Sequence, residues 1–221
     1  MQQPIPARSQ EIFRVERSAM GASWKKRALD LVGSFILLMF WFPLMLVIAL
    51  AIRLTDRGPV LFAWNILGLG GKPIRSYKFR TMVQNAEQVE AELRAQGQNE
   101  MVSVYFKVHN DPRVTPIGRV LRRFSLDELP PLWSVLIGDM SLVGPRPVRL
   151  VEAQFLKPWH AERFSTRPGL TSPWVIAGKK TIRDFDQITL LDIEYIRHWS
   201  IWRDVRVLAG TVLYFLSGRN Y

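Results

Sequence analysis

The chain has 221 residues, 48% of them hydrophobic and 22% charged, a balance that excludes a disordered polypeptide and leaves room for one core plus a short appendage. With 30 Lys and Arg against 19 Asp and Glu the net charge is +11, which favours acidic partners: phosphates, nucleic acid or an anionic membrane surface. Cysteine is absent and the 3 histidines, His109, His160 and His198, are far apart, so disulfide scaffolds, thiolate nucleophiles and His/Cys metal clusters are excluded and chemistry must rest on carboxylates, hydroxyls and basic groups.

Residues 1–24 are polar, lack an apolar period and read as a surface-lying lead. From Leu31 to Ile52 no charge occurs, about the ~20 residues that cross a bilayer as a helix. A signal peptide is disfavoured because the run exceeds the ~7–15 residues of its apolar region and follows a long lead. Pro43 has no N–H for the carbonyl four residues back, so it is expected to divide the run into Leu31–Phe42 and Leu44–Ile52, each too short to span. Lys25, Lys26 and Arg27 precede the run and Arg53 and Arg57 follow it, and basic flanks of this kind stay on the cytoplasmic side. A re-entrant helix over residues 25–54, entering and leaving by one face, satisfies both observations; a proline-kinked span satisfies the first.

Residues 55–221 form the remaining domain. Val60–Trp64 and Ile74–Phe79 are short apolar pieces that read as strands, joined by a tight turn at Leu67–Lys72 whose glycines fit neither the Walker nor the dinucleotide spacing. Between Asp56 and Glu87 no acid occurs while Arg57, Lys72, Arg75, Lys78 and Arg80 accumulate, a patch suited to an anionic ligand or to lipid headgroups. Ala86–Ala95 predicts an exposed helix. Val114–Phe124 predicts a basic amphipathic helix, with Ile117, Val120, Leu121 and Phe124 on one face and arginines on the other. Pro130–Leu136 continues helically before turns at Gly138 and Gly144-Pro145. Trp202, Val205, Leu208, Val212 and Leu216 form a last amphipathic stripe that suits the core or the membrane interface.

The acids Asp127 and Glu128 stand in Ser125-Leu126-Asp127-Glu128-Leu129-Pro130-Pro131, just after Arg122 and Arg123. Read locally, they are the acidic first turn of a helix. The same pair beside arginines is also able to hold Mg²⁺ against a diphosphate while one carboxylate oxygen attacks phosphorus. Gly144-Pro145-Arg146-Pro147 is either a rigid turn or a preorganised arginine for a phosphate or a base edge.

Together these segments resemble the bacterial sugar transferases, the polyprenyl-phosphate hexose-1-phosphate transferases of the monotopic phosphoglycosyl transferase superfamily. The matching blocks are Lys26-Arg27-Ala28-Leu29-Asp30, Gly58-Pro59-Val60, Lys78-Phe79-Arg80-Thr81-Met82, Asp111-Pro112-Arg113-Val114-Thr115, Ser125 to Pro130, Gly138 to Pro147, and Arg167-Pro168-Gly169-Leu170-Thr171, in order over most of residues 25–221. The resemblance implies a re-entrant helix broken at Pro43, a compact cytoplasmic α/β catalytic domain with interfacial helices at the bacterial inner membrane, and Mg²⁺-dependent transfer of a sugar 1-phosphate from a UDP-sugar to a polyprenyl phosphate. It assigns Asp127 as nucleophile, Glu128 as metal ligand, Lys78, Arg80 and Arg122 to phosphate, and Arg146 to the uridine end. Membrane lipids and glycan-assembly enzymes are the implied partners; nucleic acid is not, since no aromatic-basic reading motif accompanies the charge. The rival reading is a non-catalytic basic membrane adaptor. Two segments depart from the family pattern: Ala63 to Leu67, where relatives usually carry Arg-Gln and a further basic residue, and Ser172 to Lys179, where Gln and Asn are usual at the positions of Val175 and Ala177.

Overall fold

The computed structural model describes residues 13, 15–55, 57–97, 111–178, 181–182 and 184–216. His109, Asp56 and Lys179 lie outside them, as does most of the polar lead. The order is α1 (Ala19–Ala22), α2 (Trp24–Thr55), β1 (Leu61–Leu67), β2 (Pro73–Phe79), α3 (Ala86–Ala95), α4 (Pro116–Arg123), α5 (Pro131–Ile137), β3 (Ser141–Val143), β4 (Val148–Arg149), β5 (Gly169–Thr171), α6 (Pro173–Gly178), α7 (Phe185–Arg197) and α8 (Ile201–Leu216). The mixture is α/β, as expected.

The long apolar run is helix α2, 32 residues with Pro43 inside it. The expected division into two helices at Pro43 is corrected, because helical structure continues from Trp24 to Thr55. A proline removes one hydrogen bond and crowds the preceding turn, and its neighbours can absorb this where the chain is otherwise strongly helical. One face of α2 is sequestered along its length: Lys26, Asp30, Ser34, then Leu37 and Leu38, then Leu44 and Met45, then Ile48 and Ile52. Both ends of the helix therefore rest on the same body. The opposite face leaves Phe35, Ile36, Met39, Phe40, Val47 and Leu50 exposed, and among the described residues α2 alone is long and apolar enough to cross a membrane.

Lys26 is not a flanking surface charge. It is 4% exposed and its Nζ lies 3.1 Å from Asp30 Oδ1 and 2.9 Å from Asp204 Oδ2. Asp30 Oδ1 also accepts from Ser141 Oγ and from the Leu142 backbone N–H, both at 2.9 Å. Asp204 Oδ1 accepts from Tyr195 Oη and from Trp199 Nε1. This buried node ties the start of α2 to β3 and α8. Arg27 donates to the Val135 and Leu136 carbonyls, which would otherwise be orphaned at the end of α5. The end of the lead likewise belongs to the domain: Ser18 caps α1, Met20 is 1% exposed in the core, and Phe13 packs edge-on against Phe164.

β1 and β2 form the expected antiparallel hairpin, turned at Leu69–Gly71 with Gly70 in the left-handed region (φ 63°). β4 adds to the other edge of β1, pairing Arg149 with Ile66. Because partners directly opposite each other share a face, Lys78, Trp64, Ile66 and Arg149 lie on one side of this sheet. Leu67 and Val148 pack on the other side with Ala153 and Phe164. A second, parallel pair joins β3 to β5.

Two helices bury only part of their predicted stripes. In α4, Leu121 is buried and Ile117 packs inward, while Val120 and Phe124 are exposed. The reason is Gly118, whose missing side chain lets the helix lie against the Thr81 carbonyl and fixes which face turns in. In α8 the inward residues are Asp204, Val207, Leu208 and Thr211, leaving Trp202, Val205, Val212 and Leu213 exposed. The packing position is taken by the buried carboxylate of Asp204.

Candidate active site

Ser125 leaves α4 in the left-handed conformation (φ 53°, ψ 25°), and this reversal starts the 3₁₀ turn Leu126–Glu128 that carries both acids. Glu128 Oε1 accepts from Lys78 Nζ at 2.7 Å, and that ammonium also sits 4.2 Å from the centroid of the Trp64 ring. Burial, and then the neighbouring charge of Glu128, hold the Asp127 carboxyl above the usual aspartate range, while Lys78 and Arg122 pull it down. Asp127 is therefore the more basic carboxylate than an exposed aspartate would be, with two cations to steady its charged form.

Glu128 and Lys78 form one wall of a cavity of about 210 Å³. Arg146, Arg149 and Glu152 line it as well, with Trp64, Trp174 and Val175. So does Gly169, which lies directly against Gly144, so that a Cβ on Gly144 would sit 2.6 Å from the Arg167 carbonyl oxygen and 2.8 Å from the Gly169 nitrogen. Arg146 stacks 5.2 Å from the Trp174 centroid. Its backbone is held at both ends, its N–H by Asp192 and its carbonyl by Arg163 NH2 at 2.9 Å. Arg163 and Asp192 form a buried ion pair at 2.6 Å, and burial nevertheless raises the Asp192 carboxyl to about 6.

Of the predicted site residues, Glu128, Lys78 and Arg146 thus line one space, and Asp127, next to Glu128, feels the charges of Lys78 and Arg122. Arg122 Nε donates to Thr81 Oγ1 at 2.9 Å. Arg80 does not join them: it is 7% exposed and packs beside Gly58, where a Cβ would collide with its guanidinium. The five-cation patch is accordingly split, with Lys78 in the site, Arg80 buried, and Arg57, Lys72 and Arg75 on the outside. Sequence reading missed Arg149 and Glu152, although their three-residue spacing after the arginine turn was a usable signal. Both segments that depart from the family pattern line the cavity, through Trp64 and through Ser172, Trp174 and Val175.

A model of the bacterial sugar transferase family matches residues 21–218. The chain belongs to the bacterial sugar transferase family. Among members of this sugar transferase family, the galactosyl transferase CpsE of Streptococcus agalactiae is 41% identical over 193 residues, covering 87% of this chain and 42% of that protein. The UDP-glucose:undecaprenyl-phosphate glucose-1-phosphate transferase of Caulobacter vibrioides is 39% identical over 203 residues, 89% of this chain and 71% of its own length. The exopolysaccharide production protein ExoY of Rhizobium meliloti is 33% identical, covering 85% of this chain and 83% of that one. This chain therefore spans less than half of the streptococcal protein and most of the rhizobial one.

No group of three or more metal-ligating side chains occurs among the described residues. A Mg²⁺ ion needs fewer, because it takes one or two carboxylates and completes its shell with water and substrate phosphate. The adjacent acids fit that requirement, and the like-charge effect of Glu128 on Asp127 is what a bound cation would relieve.

Proposed function

We propose that this sugar transferase moves a sugar 1-phosphate from a UDP-sugar to a polyprenyl phosphate at the cytoplasmic membrane face, by way of a phosphosugar carried on Asp127. The observation that carries the reading is the Asp127–Glu128 turn, with Lys78 bonded to Glu128, opening on a cavity also lined by arginines. An Asp127 oxygen attacks the β-phosphorus, the bond from that phosphorus to the bridging oxygen breaks, and UMP leaves with the electron pair. A phosphate oxygen of the polyprenyl phosphate then attacks the same phosphorus, giving the polyprenyl diphosphate sugar and restoring the Asp127 carboxylate. Lys78 and Arg122 steady the charge that develops. Glu128, with Asp127 beside it, would hold Mg²⁺, which when bound neutralises the diphosphate.

A raised carboxylate also suits a general base acting on the acceptor. A phosphate monoester is already ionised near neutral pH, so such a base has little to remove, which favours attack by Asp127 itself. For topology, the basic residues at both ends of α2 and the packing of both ends on one domain support a helix that enters the membrane and returns to the same face, with the uncovered stripe from Phe35 to Leu50 in lipid. This sets the carboxylates at headgroup depth, where an acceptor phosphate is presented.

The deciding experiment mixes the protein with UDP-sugar and Mg²⁺ without acceptor and measures intact and peptide masses. A sugar-phosphate increment is expected on the peptide containing Asp127, with no more than one UMP released per site, and Asp127→Asn should abolish both the adduct and turnover. Turnover at full rate in Asp127→Asn would overturn the assignment.

A further inference from the structure

The cavity is lined by a second arginine to which the reading above gives no task. Arg149 is the last residue of β4, paired across from Ile66 and on the same sheet face as Trp64 and Lys78. Glu152 grips it twice: Oε1 accepts from Arg149 Nε at 2.7 Å and Oε2 from the Arg149 backbone N–H at 3.0 Å. Glu152 is 3% exposed, whereas the Arg149 side chain is 43% exposed and lines the cavity. A charged carboxylate taken almost fully out of water costs several kcal/mol unless strongly paired. Here it orients an arginine whose side chain lines the cavity.

Strand pairing gives the scale. Lys78 lies opposite Phe62 and Arg149 opposite Ile66, on the two outer strands of the sheet. Four residues of rise and two strand spacings place their Cα atoms roughly 16 Å apart. Both side chains leave the same face of the sheet and line the same cavity from its two outer strands. Lys78 stands beside the attacking carboxylate and thus beside the phosphorus under attack. The bond that breaks delivers its electron pair to the other phosphate, which departs as a dianion. Two guanidinium groups, Arg146 and Arg149, line that cavity, and a planar fork fixed at its Nε is suited to two parallel hydrogen bonds to one phosphate.

We propose that Arg149, oriented by the buried Glu152, binds the phosphate of the leaving UMP. This rests on the UDP-sugar reading and assigns the leaving-group site within it. The test measures UMP binding calorimetrically to the full chain in nanodiscs, alongside kcat/KM for a panel of UDP-sugars and the melting temperature. Arg149→Ala should weaken UMP at least tenfold while the protein still melts cooperatively. Arg149→Lys should recover only part of the affinity, since an ammonium keeps the charge without the fork, and Glu152→Gln should weaken UMP with Arg149 still present. UMP affinity unchanged in Arg149→Ala overturns the proposal; if donor ranking shifts in that variant, the arginine serves the sugar, and if nothing shifts it serves only the fold. A wild-type protein that binds no UMP refutes the nucleotide reading itself, and this inference with it.

Discussion

Lys26→Met should unfold the protein at a markedly lower temperature without touching the site. Methionine fills a similar volume, so the change isolates the charge. It leaves two carboxylates, Asp30 at 1% and Asp204 at 0% exposure, without the ammonium that now lies 3.1 and 2.9 Å from them. Stranding a buried charge costs about 3–5 kcal/mol. Ser141 and Leu142 continue to donate to Asp30, and Tyr195 and Trp199 to Asp204, which puts the loss near the lower end. At ~2–4 °C per kcal/mol for a chain of this size, about 3 kcal/mol becomes a fall of roughly 6–12 °C. Near-UV circular dichroism in detergent micelles reads the transition through the buried aromatics. One further result follows from the same reasoning: Asp204→Asn added to Lys26→Met should cost less than the two single changes together. A Lys26→Met protein melting within about 2 °C of wild type would refute the view that this node holds α2 to the domain.

Asp127 must be ionised to attack, and its carboxyl is held above the ordinary aspartate range first by burial and then by Glu128, so the acid limb of the kcat/KM profile should lie above that range. Glu128→Gln removes a raising charge and should move the limb to lower pH while cutting the rate; a limb that stays put would detach it from Asp127. Trp64→Gln and Val175→Gln, both lining the cavity, should each change the ratio of kcat/KM between two UDP-sugars by about tenfold; ratios unchanged with activity intact would place these residues away from the donor. Single cysteines at the exposed Lys25 and Thr55 should both escape a membrane-impermeant periplasmic label, and labelling of one alone would mean that α2 crosses the bilayer.

The parts of the molecule legible in the sequence are those governed by neighbours in the chain. The β1–β2 hairpin, α3, α5 and the Asp127–Glu128 turn depend on local period, capping and turn residues, and each is found where the pattern put it. The inward face of α4 and the choice between core and interface for the α8 stripe were not legible, because hydrophobicity alone does not reveal a glycine pressed on a carbonyl or a carboxylate chosen for the interior. Lys26 looked like one of the basic flanking charges because its partner Asp204 is remote in sequence and Asp30 is held by Ser141 and Leu142, equally distant. Arg80 shares its motif with Lys78, and alternation alone would put the two on one face, yet the strand ends at Phe79 and Arg80 turns in beside Gly58, so that only Lys78 reaches Glu128.

The contact between Gly144 and Gly169 limits how the cavity can be reshaped. With the two pressed together, a side chain at either position would prise β3 from β5, whose residues line the cavity. That border is therefore a constant of the scaffold, and the adjustable part is the surrounding side chains. A mutagenic library aimed at new donors should keep positions 144 and 169 as they are and spend its diversity on Trp64, Ser172, Trp174 and Val175, the ring of side chains that can change size and polarity while the strands below stay closed.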